Sequence, residues 1–303
     1  MKDKKIVIIG AGKISYSLTE ALINSGYKIT SIISRKKESA RKLAIKFGIK
    51  TFSNKIDDFY AKDCLVFVCV PDNQIENAAI ELSITNKSLK NNLYVHLSGA
   101  LDSSVLYPLR KKGAKTASFH IMQTFPSRKP VPIKGCFAAI ETNDKETEKF
   151  LFALAKKLLL KPFKLKTGEK VFYHIAGVFV SNFMVGNFYT AGKIFDMKSF
   201  NFVRLMETIT KATFDNIKND GAEKALSGPV ERGDIKTITA HINALKKISS
   251  KRKSYTFLLN YLSQSINLLE IVKLKSGRLS PNHIAIKRLL KTELNNLTEA
   301  LKA

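Results

Sequence analysis

Residues 6–15 read Ile6-Val7-Ile8-Ile9-Gly10-Ala11-Gly12-Lys13-Ile14-Ser15. Four β-branched residues in a row suit a strand buried on both faces, the condition of a parallel sheet. The run stops at two glycines and passes into a helical period. Strand, glycine turn and helix start in that order open a dinucleotide-binding βαβ unit. Gly10 has no Cβ to obstruct the turn, and Gly12 lets a pyrophosphate reach the backbone. The amides at the helix start, among Gly10, Ala11, Gly12, Lys13 and Ile14, then face two negative phosphates. Ser15 stands where a third glycine is usual and is small enough for helix to pack closely on strand. The alternative reading is a structural glycine turn in another α/β fold.

Outward from this stretch, strands and helices alternate, which predicts a parallel sheet with helices on both faces. Strands are expected at 5–9, 28–34, 50–52, 64–70, 93–97, 117–120, 136–141 and 162–166. Helices are expected at 13–24, 37–47, from 73, at 103–112 and at 145–160, with a proline-rich loop at 126–132. Beyond residue 167 strand-like runs vanish and helical periods fill 169–195, 200–219, 231–249, 252–274 and 283–301. Residues 178–189 are apolar nearly all round, as expected of a central buried helix. The fold class is therefore α/β, a Rossmann doubly wound parallel sheet followed by an all-α domain. The expected division is 1–166 for the dinucleotide-binding domain and 167–303 for a helical substrate or dimerisation domain.

The chain has 303 residues, enough for two domains. No stretch approaches the ~20 uninterrupted apolar residues of a membrane span, and the N-terminus lacks a signal-peptide pattern. Cys64, Cys69 and Cys136 show neither metal spacing nor a disulfide framework. A cytoplasmic, metal-free protein is expected. The net charge of +26 raises the question of nucleic acid. Yet nine of the 51 basic residues are arginines and 42 are lysines, spread along the whole chain. Nucleic-acid readers favour arginine for bidentate and stacked contacts. The expectation is a solvated lysine surface and no nucleic-acid partner, with a field that attracts anionic cofactor and substrate.

An acidic residue ending the second strand of such a unit usually binds the ribose 2′-hydroxyl of NAD. Here the strand ends Ile33-Ser34-Arg35-Lys36-Lys37, without a carboxylate. A hydroxyl followed by cations suits a 2′-phosphate, so Ser34, Arg35 and Lys36 point to NADP. The competing view is a solvated helix start.

Ligands of open parallel sheets bind beyond the carboxyl ends of the strands. Three clusters fall there. Val70-Pro71-Asp72 closes one strand; Val70 and Pro71 form a rigid turn beside the cofactor, and Asp72 reads more readily as a helix cap than as a ligand. His96-Leu97-Ser98-Gly99 offers hydrogen bonds and, at Gly99, a close backbone approach to the nicotinamide end. His120 and Gln123 lie in Phe119-His120-Ile121-Met122-Gln123-Thr124-Phe125. In the helical half, His174, Ser181 and Asn182 are spaced seven and eight apart, which places them on one face of a regular helix. They either line a cleft or bond another buried helix. Arg232, in Gly228-Pro229-Val230-Glu231-Arg232-Gly233-Asp234, can clamp a carboxylate, and Asp234 can cap the following helix. His241 is either structural or a cleft residue.

Together these motifs resemble a family of reductases that joins an NADP-binding Rossmann domain to an all-helical domain of unknown function. The resemblance rests on Gly10–Gly12, Val70-Pro71-Asp72, His96-x-Ser98-Gly99, His120-x-x-Gln123-x-Phe125, the His174–Asn182 helix and Gly228-Pro229-x-x-Arg232-Gly233-Asp234. The family looks like a relative of pyrroline-5-carboxylate reductase, the 6-phosphogluconate and hydroxyisobutyrate dehydrogenases, and ketopantoate reductase. Ketopantoate reductases carry a catalytic lysine with an asparagine eight residues later. His174 and Asn182 have that spacing, with histidine in the lysine's place and Val178 where a midway asparagine is usual.

The resulting expectation is an NADP-dependent oxidoreductase that reduces a small 2-keto acid such as ketopantoate. His174, Asn182 and His120 are the catalytic candidates; Arg232, Ser98, Gln123 and Ser181 are the substrate-binding ones. The alternatives are an imine reductase of the pyrroline-5-carboxylate type and a non-catalytic NADP-binding sensor or partner protein. A homodimer formed through the helical domain is expected.

Overall fold

The β-branched run becomes β1 (Lys5–Ile9), an interior strand of an eight-stranded sheet. The structure is a computed structural model and describes residues 4–56, 63–85, 89–196 and 199–302. After β1 come α1 (Lys13–Asn24), β2 (Ile29–Ile33), α2 (Lys37–Lys46), β3 (Thr51–Ser53), β4 (Cys64–Val68), α3 (Ile75–Thr85) and β5 (Leu93–His96). Then follow α4 (Tyr107–Lys111), β6 (Lys115–Ile121), β7 (Phe137–Glu141), α5 (Lys145–Lys157) and β8 (Lys161–Lys164). Short 3₁₀ turns, Asp72–Gln74 and Ser103–Leu106, lead into α3 and α4.

The strand order is β3-β2-β1-β4-β5-β6-β7-β8. Sequence order reverses between β1 and β4, the switch point beyond which ligands of such sheets bind. Alternate residues of β1 serve the two faces. Ile6 and Ile8 pack in one apolar layer with Leu18, Leu22 and Leu43, whereas Val7 and Ile9 pack in the other with Ile75, Leu82 and Leu109. Each fully buried aliphatic side chain contributes about 1.5–3 kcal/mol, so both faces must stay covered. The sheet departs from the expected all-parallel pattern at one place: β7 runs antiparallel to β6. Parallel neighbours need a crossover, usually a helix. The proline-rich 126–132 stretch cannot form one, so the chain turns back.

The chain divides into two compact units, Met1–Val180 and Ser181–Ala303. The first holds the sheet and α6 (Lys170–Gly177). Residues Val178–Asn182 are wound as a π-helical stretch, followed in the second unit by α7 (Phe183–Ile194), α8 (Ser199–Ala225), α9 (Ile235–Arg252), α10 (Thr256–Ser276) and α11 (Pro281–Lys302). Gly221, with φ 81°, interrupts α8. The core of the second unit includes Ile238, Ile242, Leu258, Leu262, Ile286 and Leu290. Asp234 caps α9, its carboxylate accepting the Thr237 amide at 3.0 Å, as its sequence position suggested.

The 178–189 segment is not the buried central helix that its composition predicted. Phe179 is 60% exposed, Val180 74% and Val185 69%. Uniform apolarity says that a helix must be covered, not by what. The whole run Lys170–Ile194 is also long and apolar enough, by length and composition, to cross a membrane, contrary to the expectation that nothing here comes near it.

At the switch point, a Cβ on Gly10 would lie 2.4 Å from the carbonyl oxygen of Cys69 and 2.6 Å from its carbon, and Gly10 has φ +103°. Gly10→Ala is therefore expected to cost about 3 kcal/mol of stability through combined strain and clash. Urea unfolding measures this, and a loss below about 0.5 kcal/mol would show that the turn relaxes freely.

Candidate functional site

Beyond the switch point lies a cavity of about 640 Å³. It is lined by the Gly10–Gly12 turn, by Ser34, Arg35, Lys36 and Ser39 after β2, by Val70 and Pro71 after β4, and by Arg128 from the β6–β7 loop. Ser15 closes the glycine turn by donating its hydroxyl to the Gly10 carbonyl at 2.7 Å. Gly12 sits at the N-terminus of α1 without a side-chain cap, so the first amides of the helix stay available for an anion. Arg35 donates to Gln74 at 3.2 Å. The β6–β7 loop is tied to α1 by the Val131 amide, which donates to Ser17 Oγ at 2.9 Å. Among the described residues, Arg35, Lys36 and Arg128 form no ion pair. A Cβ-free turn, an uncapped helix start and three cations without an ion-pair partner among the described residues fit a dinucleotide carrying an additional phosphate. Arg128 escaped the sequence reading because a lone arginine in a proline-rich loop has no local pattern.

The second element of the site is the turn after β5. Ser98 Oγ donates to Asp72 Oδ2 at 2.7 Å and accepts the amides of Ala100 and Leu101 at 3.1 and 3.0 Å. Its donor and both acceptor positions are thus used. Asp72 is a latch for this turn and not the helix cap its position suggested. His96 is fully buried: Nδ1 accepts the Ser98 amide at 3.2 Å, so Nε2 carries the proton and donates to the Asp102 carbonyl at 3.0 Å.

Two further histidines close on Gly99. A Cβ there would meet His120 Nε2 at 2.9 Å and His174 Nδ1 at 3.1 Å. A side chain at this point would displace one or both rings. His120 comes from β6 and shares a 2.7 Å hydrogen bond between Nδ1 and the Tyr173 hydroxyl. Tyr173 and His174 come from α6, so one helical turn supplies both a partner for His120 and the second imidazole. Burial, then the Lys170 charge, pushes His96 down to about 3. Burial, Lys170 and His174 in that order push His120 down to about 4. Burial raises Tyr173 to about 12. Both buried rings are therefore neutral at neutral pH.

The other residues singled out in the sequence fall as follows. Gln123 is committed locally, its amide nitrogen donating to Cys136 Sγ at 3.7 Å and its oxygen accepting the Thr124 amide at 2.8 Å. Ser181 and Asn182 end the π-helical stretch, which interrupts the 3.6-residue period behind the one-face argument. Arg232 is exposed in the turn before α9. His241 shares a 2.9 Å hydrogen bond with Tyr261. Tyr173 and Lys170 were missed: both lie in a helix whose apolar period masked them.

Comparison with known proteins matches two family models, the second of which begins within the sheet and extends into the second unit. Residues 5–98 match the family described as NADP oxidoreductase, coenzyme F420-dependent, and residues 136–266 match a domain of unknown function, DUF2520. A Bacteroides fragilis protein assigned as an NADP oxidoreductase is 26% identical, with 85% of this chain and 96% of that chain covered and a TM-score of 0.70. A protein from Thermotoga maritima is 27% identical, covering 90% and 100%, with a TM-score of 0.65. An imine reductase from Myxococcus stipitatus in complex with NADP⁺ shares the fold at 16% identity, 96% and 94% coverage and a TM-score of 0.57. A 46-residue stretch is 46% identical to glutamyl-tRNA reductase of Saccharolobus islandicus, spanning 15% of this chain and 11% of that protein.

The buried imidazoles make stability depend on pH. Free histidine titrates near 6.5, above both folded values. Below about pH 6.5 the unfolded chain binds protons that the folded site refuses, so stability falls as pH drops towards 4. In urea titrations, His120→Asn is expected to lose up to about 1.4 kcal/mol per pH unit of that dependence. An unchanged slope would show that His120 titrates normally.

Proposed function

We propose that this chain, an NADP-dependent oxidoreductase that joins a Rossmann domain to a DUF2520 domain, reduces the carbonyl of a small 2-keto acid, with ketopantoate the first compound to test. The observation that carries the reading is the convergence of His120 and His174 on Gly99 at the carboxyl end of β5. NADPH, when bound, supplies the hydride. The glycine turn and the first amides of α1 would hold its pyrophosphate, Ser34, Arg35 and Lys36 would hold its 2′-phosphate, and Val70, Pro71 and the Ser98–Gly99 turn would border the rest of it.

The oxygen of a carbonyl undergoing reduction gathers negative charge and needs a proton. Histidine exchanges protons in the physiological range. His174 is exposed to solvent beside Gly99, and it is assigned as the donor. His120, held neutral and tied to Tyr173, positions the same oxygen. The hydroxyl of Ser98 is committed to its turn, so its contribution is backbone placement, and Ser181 and Gln123 are secondary.

The exposed apolar face of α6, α7 and the stretch joining them is assigned to a homodimer interface. An uncovered apolar helix is unfavourable in water, and a second copy presents the same face for isologous contact.

Two measurements check these assignments. NADPH oxidation is expected with ketopantoate or another 2-keto acid, and His174→Ala is expected to lower kcat about 10²–10³-fold while NADPH still binds. Wild-type turnover in that variant would remove His174 as donor, and turnover of a cyclic imine that survives the substitution would move the reaction to imine reduction. Light scattering after gel filtration is expected to give a dimer; a monomer would remove the interface assignment.

A further inference from the structure

Lys170 is a buried side chain of the site that has no role in the reading above. It is 2% exposed, at the first turn of α6. Its ammonium donates to the carbonyl of Ser98 at 2.6 Å and to Ser118 Oγ. Both acceptors are neutral, and Lys170 takes part in no ion pair among the described residues. A buried charge without a paired carboxylate costs several kcal/mol, so stability alone does not account for it.

Its placement does. The carbonyl that it holds belongs to Ser98, directly before Gly99, the residue on which His120 and His174 converge. Its second acceptor, Ser118, lies on β6 two residues before His120. Lys170 thus ties the β5 turn to β6 and fixes both to the helix that carries Tyr173 and His174. We propose that Lys170 is a positioning residue for reduction: it clamps the Ser98–Gly99 turn against β6, sets the distance between the two histidines and the reacting carbonyl, and is itself too deeply enclosed to touch substrate. The proposal rests on reading the Gly99 turn as the reduction site.

The surroundings support it. The groups that face the ammonium are Asp72 after β4, His96 on β5, Asp102 after β5, His120 on β6 and Glu141 on β7. Glu141 is committed elsewhere, accepting the Ser103 amide at 2.6 Å, the Ser103 hydroxyl at 3.0 Å and the Thr167 hydroxyl at 3.2 Å. Asp72 is committed to Ser98 and Asp102 to Ser104. The carboxylates therefore offset the lysine's burial only from a distance, and its pKa is drawn down to about 8. Its charge also helps to hold His96 and His120 neutral.

The test uses Lys170→Met and Ser118→Ala in the full chain. For Lys170→Met, kcat is expected to fall about 30- to 100-fold, the scale of a small misplacement of reacting groups. KM for the keto acid and the fluorescence-measured affinity for NADPH are expected to stay within about threefold. The His120 ring resonance, assigned by its absence in His120→Asn, is expected to titrate at higher pH than in the wild type. Wild-type kcat together with an unmoved His120 titration overturns the proposal. Should Lys170→Met fail to fold, Ser118→Ala decides: a kcat loss of about threefold or more at unchanged NADPH affinity supports the clamp, and wild-type kcat overturns it. Should the wild type turn over no tested carbonyl, the substrate reading fails separately. The His120 titration, which needs no substrate, then decides for Lys170, and no shift overturns it.

Discussion

The contact between Gly10 and the carbonyl of Cys69 is the constraint from which the site follows. β1 and β4 lie side by side with their ends in register, Ile9 opposite Val68, and the chain must turn out of β1 directly over the next residues of its neighbour. No side chain fits there, because the first carbon would fall 2.4 Å from the Cys69 oxygen. That closeness brings the start of α1 to the switch point with its first amides uncapped. It also leaves the adjoining residues of β2 and β4 as the walls of the cavity.

A second glycine does comparable work by a different route. Gly99 has an ordinary backbone conformation, and what it supplies is room for His120 and His174. The turn that carries it is over-determined. Asp72 holds the Ser98 hydroxyl, His96 takes the Ser98 amide, and Lys170 takes the Ser98 carbonyl. A turn fixed through the side chain, amide and carbonyl of one residue cannot drift, which is the condition for holding reacting groups to within a few tenths of an ångström. Desolvation, and after it the enclosed Lys170 ammonium, also keeps the His96 and His120 imidazoles neutral.

Much of the first unit was legible because its signals are local. A β-branched run, a glycine pair and a switch from a two-residue to a 3.6-residue period are properties of consecutive residues, and β1, α1, β2 and β4 appeared close to where they were expected. The antiparallel β7 was not legible, because strand direction depends on how the β6–β7 connection closes in space. His120 and His174 stood out as histidines at a strand end and on an apolar helix. Tyr173 and Lys170 stood out by nothing, since a tyrosine or lysine in a helical period looks like core edge or surface. The 178–189 segment is exposed where its composition demanded cover, because composition states that an apolar helix must be covered and not whether the same chain or a second copy covers it.

The sequence by itself determined the βαβ opening, the absence of a carboxylate after β2, the helical character of the second half and the cap at Asp234. Each depends on side chains within a turn or two of one another, where propensity, sterics and local hydrogen bonding suffice. Only the tertiary structure decided that Gly99 is crowded by two imidazoles, that Asp72 latches Ser98, that Arg128 reaches the dinucleotide cavity and that Lys170 lies enclosed beneath the turn. Those facts join residues dozens of positions apart. They exist only once the sheet has placed β4, β5 and β6 next to one another and α6 has packed across their ends.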